Sequence, residues 1–511
     1  METKTFEKVT RSAGKFYKLV FCALPYLSGS LHLGRLGGSL LPANIYSRWL
    51  KLRYKKELLE GSLEILTISG FDCHGSPIIK ESLKKGLDCR SFIDQKEQEY
   101  SLIFKKLGLE FDYLVNTHYN KIHKKEVLRV IIDYLKEGSM MIKTTSCLRC
   151  KKCKKWVANR FVIGECKNCH LLLDQDTCTN CWSLNQTDDI VNPRCFFCKN
   201  NLKSIKKLAI FLNLDQLEGY LKEEKEIKNL KLFFPLKSRE ITRRLPIPWG
   251  IKIKKDLVVY VWFDAILSYR TATKILKLDY QLIKNQYFFY GIDNIFFHKI
   301  LLEILDKKDQ KIALNQKTHF VRKFFLNANS GSKLTSTTEK NILEVLETFE
   351  ADAIRFFLAK NDTLKHQTLI RDNSLELILK DLKNISNIFW RARAIFEVAN
   401  YDKSFISKEE LQYRDFTRDY SDFFKLMDGT NYQPAIQWLF YKIAQFNSLY
   451  NSFLPWKCYQ WHSWIWNILE DFIFFLKPFL IKLDFYQCQK RPGEFLIWSK
   501  TKKYITIKLY S

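Results

Sequence analysis

Eight cysteines, arranged as Cys150-x2-Cys153, Cys166-x2-Cys169, Cys178-x2-Cys181 and Cys195-x2-Cys198, carry the plainest chemistry in this chain. A tight turn brings both thiolates of such a pair to one tetrahedral ion, so eight ligands predict two structural Zn2+ sites with no open coordination position for catalysis. Eight residues separate Cys169 from Cys178, so the inner two pairs most simply share one ion and the outer two the other. Pairing in chain order satisfies the same spacing, and Cys147 is a fifth candidate ligand at the outer site. A redox dithiol is the alternative use of each pair. A second group suits an anion: in FCALPYLSGSLHLGR, from Phe21 to Arg35, His32 and Arg35 sit on the first turn of an expected helix with Gly34 between them. Helix N-termini offer free N–H groups and a positive dipole end to phosphates, and Gly34 leaves room for a flat group against the backbone. Third, Asp72 in LEILTISGFDCHGSPI is a carboxylate placed either to hold an ammonium group or to cap the helix that follows. Fourth, the Gly-, Ser-, Thr- and Lys-rich stretch from Phe324 to Ile342 can bring hydroxyls, N–H groups and an ammonium to a phosphate, or can be a plain surface loop.

These groups need a scaffold, and the apolar patterning predicts one. KFYKLVFCAL reads as a strand stopped by Pro25, and Leu36 to Arg53 reads as a helix ending in basic residues. Leu63 to Gly70 reads as a second strand, placing Asp72 just beyond its C-terminal end, where parallel α/β sheets hold ligands. After the cysteine block, a charged stretch from Asp215 to Glu240 is expected as an exposed helix and connector. LVVYVWFDAILSY then reads as a strand breaking into helix at Asp264-Ala265. YFFYGIDNIFFHKILLEIL repeats the design, with a Gly291-Ile292-Asp293 turn and His298 on the helix. Strand–helix units on both sides of the block imply one parallel sheet split by an insertion. From about Ile370 to Leu483 helical periodicity dominates, as in a bundle. There Asn387 and Arg391 share a helix face and Trp456 follows Pro455, a set able to stack on and bond to unpaired bases.

The bulk properties agree. A chain of 511 residues with 46% hydrophobic and 15% aromatic content is no disordered tail and divides into several units. The net charge of +28 favours a polyanionic partner such as nucleic acid. The N-terminus lacks a signal-peptide core, so the fourteen cysteines are expected in a reducing, cytoplasmic setting. The aromatic stretch from Trp461 to Leu483 carries Glu470, Asp471, Lys477 and Pro478 and is expected as a buried helix with no membrane span.

In order along the chain, these motifs resemble those of methionyl-tRNA synthetases, a class I aminoacyl-tRNA synthetase family, over roughly Lys18 to Leu483. HLGR resembles the His-Ile-Gly-His signature, GFDCHGSPI a second strand end, and the cysteine block the connective peptide of two-zinc members. ITRRLPIPWG, YVWFDA, GIDNIFFH, SGSKLTST (for Lys-Met-Ser-Lys-Ser), NIFWR and Pro455-Trp456 complete the resemblance. It implies an α/β fold: a Rossmann-like parallel sheet split by a zinc-binding connective peptide and followed by an all-α anticodon-binding helix bundle. The implied boundaries are 14–118 and 241–325 for the two halves of the Rossmann domain, 119–240 for the connective peptide, 326–371 for the signature loop and stem-contact region, and 372–511 for the helical domain.

The implied activity joins methionine to ATP, with Mg2+, as methionyl-adenylate and transfers it to tRNA(Met). The implied catalytic set is His32, Gly34, Arg35, Lys333, Thr335 and Ser336. The implied substrate pocket is Ala23, Leu24, Tyr26, Asp72, Trp262, Ala265, Tyr269, Asp293 and His298. Asn387, Arg391 and Trp456 would read the anticodon. Arg35 and Ser336 stand where the family usually has histidine and lysine, Arg244 where it has an acid, and Ile266 where it often has proline. The alternatives are therefore another class I synthetase (isoleucyl, valyl or cysteinyl) or a catalytically weakened tRNA-binding paralogue. A monomer with no tRNA-binding module appended before Lys15 or after Ser511 is expected.

Overall fold

The computed structural model describes residues 15–173, 178, 181, 190–214, 238–308, 316–334, 340–371, 373–398, 420–453 and 462–481. The charged stretch expected as an exposed helix lies almost wholly outside them.

Five strands form one parallel sheet: β1 (Phe16–Cys22), β2 (Leu63–Phe71), β3 (Tyr113–Asn116), and, from the far side of the cysteine block, Ile283–Gly291 and Gln316–Arg322. Their spatial order is Gln316–Arg322, Ile283–Gly291, β1, β2, β3. The chain therefore builds outward from β1 in one direction and, after the insertion, returns to the other flank of β1. Such a reversal leaves a crevice at the strands' C-terminal ends. The central strands are nearly continuous apolar runs because both faces are covered. Val20 and Cys22 enter one core while Leu19 and Phe21 enter the other.

LVVYVWFDA departs from its expected form. Only Leu257–Val259 is a strand, and it lies in a small antiparallel sheet with Thr242–Arg243 and Lys252–Lys254, outside the parallel one. The helix starts at Val261, so Asp264 is inside it and fully buried. Tyr260 supplies an extended residue before the helix, and the apolar side chains pack inward along it.

The insertion leaves the sheet on an antiparallel ribbon, Met140–Cys150 paired with Leu202–Leu212 through eleven residue pairs. Beyond β1 the chain forms Leu33–Arg35, a π-helical turn over Leu36–Leu40 and the helix Leu41–Arg53. Helices Ser374–Val398, Ser421–Asp428, Tyr432–Phe453 and His462–Leu476 make the final layer. No helix among the described residues is long and apolar enough to cross a membrane. Buried arginines fasten the last layer to the sheet-bearing body: Arg355 Nε donates to Phe479 O at 3.0 Å, and its Nη1 to Asn44 Oδ1 at 2.8 Å. Arg48 Nη2 donates to Lys477 O at 2.7 Å.

Candidate functional site

At the crevice the loops after β1 and β2 are zipped together, with Leu27 N–H donating to Asp72 O and Asp72 N–H to Pro25 O, both at 3.1 Å. His32 stands just before the first helical turn and is buried. Burial, reinforced by the charges of Arg35 and Lys333, lowers its pKa to about 3 and keeps the ring neutral at physiological pH. Its Nδ1 has no hydrogen-bond partner among the described residues. A Cβ on Gly34 would come within 3.1 Å of both His32 Cε1 and Leu334 Cβ, so a bare backbone is required where helix and signature loop meet.

Arg35 is held inward. Its Nη1 donates to Tyr26 O at 2.7 Å and to Tyr100 Oη at 2.9 Å, a structural occupation that spacing alone did not show. Lys333 lies 2.6 Å from Asp293 Oδ2 and 4.1 Å over the Phe324 ring, with both charged side chains nearly half exposed. Thr335 and Ser336 lie outside the described residues.

The expected amino-acid pocket assembles on the other side of β1. Ala23 is buried with its N–H on Phe289 O at 2.9 Å, and Leu24 packs against the same core as Trp262. Trp262 stacks on Phe297 at 4.4 Å and 7°. Tyr269 Oη lies 2.9 Å from His298 Nε2, while His298 Nδ1 lies 3.1 Å from Asn294 O. Burial lowers His298 to about 4, so this ring too is neutral. Ala265 sits on the same short helix as Trp262. Asp72 does not cap the next helix, whose N-cap is Gly75 at φ +93°. A Cβ on Gly75 would lie 2.7 Å from Tyr26 Oη, so the turn and the tyrosine require glycine together. Asp72 is 5% exposed, and burial, with the nearby Asp264 carboxylate adding to it, raises its pKa well above the usual carboxylate range. A carboxyl so placed gains most from a cation.

A buried polar centre that sequence reasoning did not assign lies beside this pocket. His74 Nδ1 is 2.8 Å from Asp264 Oδ2, and its Nε2 is 3.2 Å from His118 Nδ1. His123 Nε2 approaches Asp264 Oδ1 at 3.6 Å, and its Nδ1 is 2.9 Å from Thr271 Oγ1. Burial acts to raise Asp264, but the two imidazoles outweigh it and hold the carboxyl below its ordinary value. The available signal was an acid inside an apolar run, YVWFDAI, which must find partners if buried.

The cysteines group as the loop lengths favoured: Cys150, Cys153, Cys195 and Cys198 form one cluster, and Cys166, Cys169, Cys178 and Cys181 the other, each with sulfurs within 4.8 Å of one another. Four thiols at that spacing fit a tetrahedral metal ion. The Asn200 amide, 3.3 Å from Cys198 Sγ, leads the influences that pull that thiol down to about 6, towards the thiolate a metal needs. Cys147 stands apart, its sulfur 3.7 Å from Arg244 Nη1. Arg244 also bonds Asp256 at 3.2 Å. Asn387 is exposed on helix Ser374–Val398, which also contains Arg391; the Arg391 side chain and Trp456 lie outside the described residues.

Comparison with known proteins follows the same outline. The family described as "tRNA synthetases class I (M)" matches residues 18–392. "Methionine--tRNA ligase 1" of Alkaliphilus oremlandii is 26% identical over 476 residues, 85% of this chain and 83% of that protein. The Methionine--tRNA ligase of Thermoplasma acidophilum is 31% identical over 311 residues, 55% of each. The crystal structure of Mycobacterium tuberculosis methionyl-tRNA synthetase bound by methionyl-adenylate superposes with a TM-score of 0.68 at 13% identity, covering 91% of this chain and 92% of that one. At that identity the likeness speaks for the fold.

Proposed function

We infer that this chain, which belongs to the class I (M) tRNA synthetases, activates methionine with ATP and transfers the methionyl group to tRNA(Met). The observation that carries the reading is a juxtaposition at one crevice: a buried Asp72 and an aromatic pocket on one side of β1, and a neutral His32 with a free Nδ1 on the other. The methionine ammonium pairs with Asp72, and the thioether lies among Trp262, Tyr269 and His298, where a soft, polarisable sulfur gains from ring edges. The methionine carboxylate attacks the α-phosphorus of Mg2+-bound ATP, a P–O bond to pyrophosphate breaks, and the displaced charge leaves on pyrophosphate. His32, Gly34 and the helix N-terminus hold the nucleotide, and Lys333 exchanges Asp293 for the leaving pyrophosphate. Such chemistry works by positioning and charge stabilisation. The terminal ribose hydroxyl of tRNA then attacks the activated carbonyl and AMP leaves.

Asn387, Arg391 and Trp456 read the anticodon in this proposal, which exposure of Asn387 supports. Both cysteine clusters hold Zn2+, about two per chain by atomic absorption. Free thiols at every described cysteine support a reducing, cytoplasmic setting. The deciding experiment is ATP–pyrophosphate exchange scanned over the amino acids. Exchange with methionine alone is expected. Exchange with isoleucine, valine or cysteine would reassign the substrate, and none with any amino acid would leave a tRNA-binding protein.

A further inference from the structure

Three chain segments that are far apart in sequence meet at His74. Its ring is fixed at both nitrogens, to Asp264 at 2.8 Å and to His118 at 3.2 Å. Its main chain serves the pocket directly: the His74 carbonyl accepts the Tyr26 hydroxyl, and its N–H faces Asp72 Oδ1 at 3.5 Å. Asp264 belongs to the Val261–Ile266 helix that also carries Trp262 and Ala265. Through His123, 3.6 Å away, the carboxylate is linked to Thr271 on the Ser268–Ile275 helix, which carries Tyr269. His118 is braced from outside, stacking on Trp249 at 4.3 Å, and Trp249 Nε1 donates to Cys73 O at 2.7 Å, within the same turn.

We propose that His74 is the positioning residue of the amino-acid subsite, wired by Asp264 and His118 so that Tyr26 and Asp72 are set at the right depth and angle for an α-ammonium group. The argument is geometric. The turn from Asp72 to Gly75 has few ways to be held, since Asp72 offers the ligand its carboxylate and Gly75 has no side chain. The imidazole between them, 2% exposed, is the handle by which the helix after the insertion grips it. A displacement of about 1 Å at a binding group costs on the order of 100-fold in turnover efficiency. This inference rests on the amino-acid-activating reading of the site.

The test compares His74→Phe, which keeps the ring and loses both hydrogen bonds, with His74→Asn, which loses ring volume but can still donate to Asp264. Pyrophosphate exchange should show the KM for methionine rising on the order of 100-fold in His74→Phe, with the KM for ATP unchanged and kcat little affected. His74→Asn should recover about tenfold of that loss. A role limited to packing predicts the opposite ranking and a parallel loss of ATP binding, and either result overturns the proposal. Should His74→Phe fail to fold, His118→Phe decides: it keeps the stack on Trp249, removes the bond to His74, and should raise the methionine KM alone by about threefold to tenfold. An unchanged KM there overturns the wiring. Wild-type exchange with a different amino acid overturns the methionine reading alone, because the same ranking is then read with that amino acid. Wild-type protein that binds no amino acid overturns both.

Discussion

The two sides of the crevice are built differently. On the amino-acid side Asp72, His74, Asp264, Tyr269 and His298 are all buried, and the described rings and carboxylates are joined by short hydrogen bonds. On the nucleotide side Lys333 and Asp293 form an ion pair whose side chains are 46% and 41% exposed, and Arg35 is turned into the protein. A preassembled pocket selects by fixed geometry, whereas an open charge pair can be exchanged for phosphate at small cost, since exposed ion pairs contribute little. The difference teaches that discrimination between amino acids is a property of the rigid side and turnover a property of the open one.

The strongest way to break that comparison is Asp72→Ala. Removing the charged partner of an enclosed ammonium costs about 3 to 5 kcal/mol, so kcat/KM for methionine should fall by about 100-fold to 1,000-fold or more in steady-state exchange, with the KM for ATP retained. A loss shared equally with ATP would show that the pocket is not separately assembled. Next comes Lys333→Ala, which should lower kcat by about 100-fold while leaving equilibrium methionine binding unchanged in calorimetry. Weakened methionine binding would contradict the division.

A third experiment sharpens the comparison through pH. Burial and the Asp264 charge favour the neutral form of Asp72 in the empty site, yet an ammonium binds the carboxylate. Below the raised pKa, binding must expel a proton, so the methionine Kd should increase by up to about tenfold per unit fall in pH, and level off above it. That dependence should extend above the usual carboxylate range and vanish in Asp72→Asn. The smallest contrast lies between the metal clusters. Cys150 and Cys195 belong to the main core with Phe161 and Val162, and the neighbouring Phe196 lies under Lys80 of helix Ser76–Lys84, which follows Asp72. Cys166 and Cys178 share a small separate core with Leu173. Cys195→Ser should therefore raise the methionine KM several-fold, and Cys178→Ser should change it less than about twofold. Equal effects would show that the insertion acts as one body.

The sequence by itself determined the chemistry that follows from local spacing. Four Cys-x2-Cys pairs specify two thiolate clusters because each pair needs only a turn, and loop length favours the nesting that the structure displays. The β1 and β2 runs, the helix after His32 and the split parallel sheet were likewise legible, because buried parallel strands are continuous apolar runs. Other features needed tertiary contacts. LVVYVWFDA looks like one strand, yet it divides between an antiparallel edge and a helix because its neighbours in space supply the partners. Whether Asp72 caps a helix or faces a pocket was undecided until Gly75 took the cap. Arg35 could be read as a phosphate ligand until Tyr26 and Tyr100 were seen to hold it. The Asp264–His74–His118 centre joins positions 44 and 190 residues apart, and no local rule relates such distant residues. Only the folded chain, by burying one carboxylate where two imidazoles could meet it, decided which polar groups would organise the site.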